Sequence, residues 1–276
     1  MTVSGSTTDG RRPGQYTGSA RDTGPTARET YADPIQAPGT DEESWRAWDG
    51  WARLPEYTLP TAGRVVVVAA HPDDEVLGVG GALARLAAAG LTLTVVSVTD
   101  GEGSHPRTTR LTPTRLADVR ARELRAALTE LGAGGAEVVR LGLPDTGVAD
   151  HEDRLARALT DLLPGASLCL APWTGDVHAD HEAAGRAALA AARAASVTCR
   201  LYPVWMWHWA NPADPRVPWE RAARIPLPPA AQDRKSAAID RFASQIRPLG
   251  PDPEDAAVLP PHELAHHLRG WEVVLG

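Results

Sequence analysis

From residue 64 onward the chain alternates short unbroken apolar runs with longer stretches in which apolar residues recur every three or four positions. The runs VVVVAA (65–70), LTLTVVSVT (91–99), AEVVRLGL (136–143), SLCLAP (167–172) and TCRLYPVWMWHW (198–209) predict strands, and the first, with no polar residue, suits burial on both faces. Helices are expected between them: about Asp74 to Ala89, stopped by Gly90; Pro113 to Leu131, behind Thr112 as N-cap and ended by Gly132; within DRLARALTDLL (153–163); and over HEAAGRAALAAARAA (181–195). Strands and helices alternating at these lengths imply right-handed crossovers and a mostly parallel sheet covered on both faces. The expected class is α/β, Rossmann-like, with any active site at the C-terminal edge of the strands.

The flanks read differently. Residues 1 to about 40 are rich in Gly, Ser, Thr, Pro and Arg and hold few large apolar side chains, so they are expected to form a disordered tail. In DEESWRAWDGWARLPEY (41–57), Trp45, Trp48 and Trp51 stand three apart behind acids that suit a helix start, a stripe expected to pack on the main domain. Beyond Trp209 the chain is proline-rich, then helical over about 232–246, then proline-rich again before a short final helix and WEVVL. With no second periodicity large enough for another core, one domain is expected over 41–276, with its core at about 64–209 and a cleft-wall segment at 210–276.

Composition narrows the partners. The 28 basic residues against 35 acidic ones give a net charge of -7 with no long basic cluster, which argues against nucleic acid. Cys169 and Cys199 sit in strand-like runs and suit buried thiols rather than a disulfide framework. The N-terminus lacks the apolar core of a signal peptide, and no stretch approaches the ~18 apolar residues of a membrane helix. A soluble cytoplasmic protein is expected.

The loops leaving the C-terminal ends of the first four strands read HPDDE, TDGEGS, PDTG and WTGDVHADH. One acid at a strand end is ordinary turn or cap chemistry, but acids at all four of these ends, with histidines at the first and fourth, suggest a metal site. Pro72 keeps His71 out of helical dihedrals, and Asp73 and Asp74 enter the turn in different directions, so one can bind a metal while its neighbour faces water. A His, a carboxylate and a second His leave an open position, the pattern of catalytic zinc. Spacing alone leaves open which aspartate of 73 and 74, and which histidine of 178 and 181, is the ligand.

Ala70-His71-Pro72-Asp73-Asp74-Glu75 and His178-Ala179-Asp180-His181 resemble the two signature motifs of the PIG-L/LmbE-like zinc-dependent de-N-acetylases. The resemblance extends over about 64–275 through TDGEG (99–103), VRARELRAALTELG (119–132), LGLPDTG (141–147) and KSAAIDRFASQ (235–245). It implies Zn2+ held by His71, Asp74 and His181, with Asp73 as general base. His178 would stabilise the oxyanion and assist the leaving amine, and Asp180 would orient a histidine of its own cluster. Arg120, Asp145 and Glu102 would contact sugar hydroxyls or position the substrate, a small N-acetylated amino sugar or glycoconjugate. Two positions depart from the family: Ala179 stands where proline is common, and Asp240 where a less acidic residue is usual. The chemistry is coherent, because amide hydrolysis needs an activated water, a polarised carbonyl and a proton for the amine, and a cationic histidine suits the oxyanion.

Three rivals remain. His262-Glu263-Leu264-Ala265-His266 is a literal H-E-x-x-H, the motif of a zinc metalloprotease, but two prolines precede it and Arg269 stands where the extended motif has glycine. GVGG (78–81) suggests a dinucleotide loop, yet Leu83 replaces the last glycine and the HPDD acids would repel a pyrophosphate; close helix–strand approach explains these glycines better. A non-catalytic metal- or carbohydrate-binding protein of the same fold would be expected to have lost at least one of the five central residues, and all are present.

Overall fold

The computed structural model describes residues 1–2 and 34–276, so residues 3–33 of the tail expected over 1–40 lie outside the described residues. Five parallel strands, β1 (Arg64–Ala69), β2 (Thr92–Thr99), β3 (Glu137–Leu143), β4 (Ala166–Pro172) and β5 (Cys199–Tyr202), form one sheet with β6 (Ala222–Pro226) and β7 (Trp271–Leu275), in the order β3-β2-β1-β4-β5-β7-β6. In β1, Val66 and Val68 enter one core while Val65 and Val67 enter the other, as expected of a strand covered on both faces. The helices α2 (Asp74–Ala88) and α3 (Pro113–Glu130) supply Leu83, Leu86, Leu124 and Leu128 to one side. On the other side, α4 (Glu152–Leu162) supplies Leu155 and Leu159, and α5 (Ala179–Ala195) supplies Ala184 and Ala188. The strand order reverses between β1 and β4, and there the loops leaving the two strands diverge to leave a crevice.

Upstream of β1, α1 (Glu42–Ala47) starts at Asp41, whose carboxylate accepts the Ser44 amide at 2.7 Å. Trp45 and Trp51 are buried as expected, packed with Trp207 and Trp219. Residues 34–40 are already placed against the domain, several residues before the expected end of the tail: Pro34–Gln36 form a 3-10 turn, Ala37 is buried, and the Thr40 amide donates to the His208 carbonyl at 2.8 Å.

Downstream, three expectations need correction. The fifth strand, expected over 198–209, ends at Tyr202, because Pro203 stops the ladder and the Asp176 carboxylate takes the amides of Val204, Trp205 and Met206 into a turn leading to α6 (Met206–Trp209). The helix expected over 232–246 is two, α7 (Pro229–Ile239) and α8 (Ala243–Ile246). The proline-rich wall also contains two strands, β6 (Ala222–Pro226) and β7 (Trp271–Leu275), which pair antiparallel from Ala222↔Leu275 to Pro226↔Trp271 and extend the sheet beyond β5. Among the described residues no helix is long and apolar enough to cross a membrane.

The GVGG segment has a structural use. Gly78 packs on Tyr202, where an added Cβ would lie 2.1 Å from the ring, so glycine permits the approach of α2 to β5. At Val79 (φ -140°, ψ 21°) α2 kinks, and the interrupted backbone bonds find buried side chains instead. Glu272 accepts the amides of Gly81 and Ala82 at 2.7 and 2.8 Å, while Lys235 Nζ donates to the Leu77 carbonyl and to Glu272, both at 2.8 Å.

Candidate metal and catalytic site

The crevice at the strand-order reversal is where β1 delivers His71 and β4 delivers the 173–181 loop. His71 Nδ1 lies 3.2 Å from His181 Nε2 and 3.5 Å from Asp74 Oδ2, and His181 Nε2 lies 3.2 Å from Asp74 Oδ1. Three donors bonded tetrahedrally to zinc at ordinary lengths stand about 3.3 Å apart, and the two ring nitrogens lie at such separations from each other and from the Asp74 carboxylate, which turns one oxygen to each ring. His71, His178 and His181 also present nitrogens within 4.8 Å of one another. The donor set therefore fits a divalent metal.

Two of these rings, His181 and His71, are held from behind by carboxylates, which fix the ring and its tautomer. His181 Nδ1 meets Asp176 Oδ2 at 2.7 Å, and His71 Nε2 meets Asp145 Oδ1 and Asp180 Oδ2, both at 3.2 Å. Asp176 is the site residue that sequence reasoning missed. It stands in the quoted WTGDVHADH loop, but its fully buried carboxylate also collects three amides from 204–206, a contact that local spacing does not announce. Its neighbour Val177 adopts φ 75°, a strained conformation for a β-branched residue, and this turns the loop between Asp176 and His178.

Asp180 differs from expectation. It reaches back over the start of α5 to His71 rather than to a histidine of its own cluster, and accepts the Thr146 and Val148 amides at 2.7 and 3.0 Å, tying the PDTG loop to the site. Arg120 is buried, and its guanidinium donates to Asp73 Oδ2 at 3.0 Å, to the Pro72 carbonyl at 3.1 Å and to the Gly101 carbonyl at 3.0 Å, so most of its donors serve protein acceptors. Glu102 accepts the Asp145 amide at 3.0 Å and does not line the cavity, so it bears on the cavity through Asp145. Asp145 does line the cavity, with its second oxygen accepting the Gly103 amide at 2.8 Å.

The charges are strongly coupled. Burial alone would lower His181, but the Asp74 and Asp176 carboxylates override it and lift the ring to about 9. His71 is likewise raised, against burial, by Asp145, Asp180 and Asp74. Asp74 is held well below its ordinary value, against burial, by His181 and His71. Burial pushes Asp73 up to about 6 despite the opposing Arg120 charge. His178 is pushed down to about 3 by burial and by the charges on His181 and His71. Its Nδ1 accepts the Asp180 amide at 3.3 Å, which places the proton of the neutral ring on Nε2.

His71, Asp73, Asp74, Asp145 and His178 open onto a cavity of about 680 Å³, which Arg120 also lines. The H-E-x-x-H segment forms α9 (Pro261–Ala265) on its far wall, and its histidines diverge. His262 points outward with its side chain 75% exposed, Glu263 binds His208 at 2.6 Å, and His266 Nδ1 meets Glu42 at 2.9 Å. The protease alternative fails because the two rings do not share a focus.

The family described as GlcNAc-PI de-N-acetylase, PIG-L, matches residues 66–192. The 1D-myo-inositol 2-acetamido-2-deoxy-alpha-D-glucopyranoside deacetylase of Streptomyces avermitilis is 33% identical over 210 residues, covering 64% of this chain and 71% of that one. A second protein of that description, from Catenulispora acidiphila, is 34% identical over 156 residues, covering 48% of this chain and 51% of its own length. Among solved structures, the zinc-inhibited form of teicoplanin deacetylase superposes with a TM-score of 0.56 over 77% of this chain and 97% of that one, at 20% identity, which shows the common fold. Both histidine motifs fall inside the matched segment, and the chain belongs to the PIG-L family of de-N-acetylases.

Proposed function

We propose that this protein is a zinc-dependent hydrolase that removes an N-acyl group, acetyl above all, from a small molecule or glycoconjugate containing an amino sugar. The observation that carries the reading is the convergence of His71 Nδ1, His181 Nε2 and the Asp74 carboxylate, 3.2–3.5 Å apart, next to a buried Asp73 carboxylate in a chain of this family. Zinc, when bound, supplies Lewis acidity that makes water more acidic and polarises an acyl carbonyl.

The protein groups supply the rest. Arg120 fixes the Asp73 carboxylate at 3.0 Å, and with its value near 6 Asp73 is ionised around neutral pH and takes a proton from the attacking water. His178, whose Nδ1 already accepts the Asp180 amide, donates from Nε2 to the oxygen that gains charge as the carbonyl becomes tetrahedral. The proton held by Asp73 then passes to the departing nitrogen, and the products are the carboxylate and the free amine. Asp145, beside His71 on the cavity wall, is placed to accept from a sugar hydroxyl.

The test compares bound zinc and acetate release in wild type, Asp73→Asn, His181→Ala and His266→Ala. Asp73→Asn is expected to keep its zinc and lose about 10²- to 10⁴-fold in rate. His181→Ala is expected to lose zinc, and His266→Ala to keep it. Full activity in Asp73→Asn, or loss of zinc in His266→Ala alone, overturns the assignment.

A further inference from the structure

Part of the cavity wall comes from residues that precede the segment matched by the family. Ile35, Gln36 and Ala37 line the same cavity as His71 and Asp73. The strap that carries them, Pro34–Thr40, is fastened along the α6 segment. His208 Nε2 donates to the Ala37 carbonyl at 2.9 Å, the Thr40 amide donates to the His208 carbonyl at 2.8 Å, and the Thr40 hydroxyl donates to the Ala210 carbonyl at 2.7 Å. Gly39 lies flat on the His208 ring, where an added Cβ would stand 2.5 Å from Nδ1. The ring in turn bonds Glu263 of the H-E-x-x-H segment at 2.6 Å, so that motif holds a wall in place instead of a metal.

The strap belongs to an apolar part of the lining. Ile35 and Ala37 join Val204 and Trp205, which precede His208, and Leu259 and Pro260, which precede Glu263. Gly103, Ser104, Asp145 and Gln245 add a polar part to the lining, linked by contacts from the Gly103 amide to Asp145 and from Gln245 Nε2 to the Ser104 hydroxyl, and the Gln245 carbonyl accepts the Leu259 amide at 2.9 Å where the two parts meet. A cavity of about 680 Å³ lined by polar and apolar groups suits a ligand of drug-like size rather than a lone acetylated hexosamine.

We propose that the Pro34–Thr40 strap is a specificity element that selects amino-sugar substrates carrying an apolar aglycone, with Ile35 and Trp205 packing against that aglycone. The inference rests on the deacetylase reading given above and adds the class of group attached to the sugar.

The experiment uses the full-length zinc-loaded chain and two probes, the phenyl and methyl glycosides of N-acetylglucosamine. Acetate release is followed in wild type and Ile35→Asp, and the binding of each probe is measured calorimetrically in Asp73→Asn with and without Ile35→Asp. Wild type is expected to favour the phenyl glycoside at least about tenfold in kcat/KM and in affinity, from the added apolar surface removed from water. Ile35→Asp is expected to cut that ratio to about threefold or less. Thr40→Val, which frees the strap at its end without touching the wall, is expected to lower the ratio in the same direction. Acetate release at one unchanged ratio in all three proteins overturns the strap proposal and leaves the deacetylase reading standing. A phenyl preference in binding that Ile35→Asp abolishes, without acetate release from either probe by wild type, supports the strap and overturns the deacetylase reading. Failure to bind either probe overturns both.

Discussion

Replacing Asp176 by asparagine changes no volume and removes one charge, and its effect can be worked from four hydrogen bonds. Oδ1 accepts from the amides of Val204 and Met206 at 3.0 and 2.9 Å, while Oδ2 accepts from the Trp205 amide at 2.9 Å and faces His181 Nδ1 at 2.7 Å. An asparagine that keeps its oxygen on the first pair turns an NH2 toward the second. The Trp205 amide then loses its acceptor, at about 1–3 kcal/mol for a buried donor. His181 can avoid a clash of donors only by moving its proton to Nε2, the nitrogen that faces Asp74 at 3.2 Å and is needed for the metal. Removing a carboxylate behind a ligating histidine typically weakens metal binding by about 10- to 100-fold, or about 1.4–2.8 kcal/mol. The assay is the zinc dissociation constant by chelator competition near neutral pH, with thermal unfolding of the metal-free protein alongside. A zinc affinity within about threefold of wild type would show that Asp176 shapes only the 204–206 turn.

Two further outcomes follow from buried charges away from the site. Burial would raise the Glu42 carboxyl, but bonds from His266 and Arg269 outweigh it and bring the group from 4.5 to about 2. A depressed folded value means that the contribution is complete above pH 4.5 and is lost as the pH falls toward 2, and with partial exposure discounted it is about 2 kcal/mol. Urea unfolding at pH 5 and pH 3 should therefore show a smaller loss in Glu42→Gln than in wild type; parallel losses refute this. Lys235→Met strands the Glu272 carboxylate beneath the kink in α2 and is expected to cost about 3–5 kcal/mol in urea unfolding, whereas a cost under about 1 kcal/mol would show that the two helix amides satisfy Glu272 alone.

The parallel half of the fold was legible because each strand there is a run of apolar residues closed by a polar loop, as in VVVVAA before His71. The convergence of His71, Asp74 and His181 was legible for the same reason, since strand ends are where a parallel sheet gathers its loops. Between 198 and 209 the pattern misled: YPVWMWHW is as apolar as a strand, and only the distant Asp176 carboxylate shows that its backbone turns. β6 and β7 were hidden because ARIP and WEVVL are short, flanked by prolines or loops, and meaningful only once paired with each other. The destination of Asp180 depended on tertiary contact with His71, which no local spacing encodes. Arg120 and Glu102 were found as residues, but long side chains can reach several partners, and their bonds lead to Asp73 and to the Asp145 amide.

The contact between His71 and His181 spans 110 positions of sequence. Closing a segment of that length costs about 4 kcal/mol of chain entropy, and the pairing of β1 beside β4 already meets that cost when it brings the two rings together. The site is therefore a product of the sheet, and on the proposed zinc reading a nick between the two motifs that separates β1 from β4 should empty it even where every ligand survives.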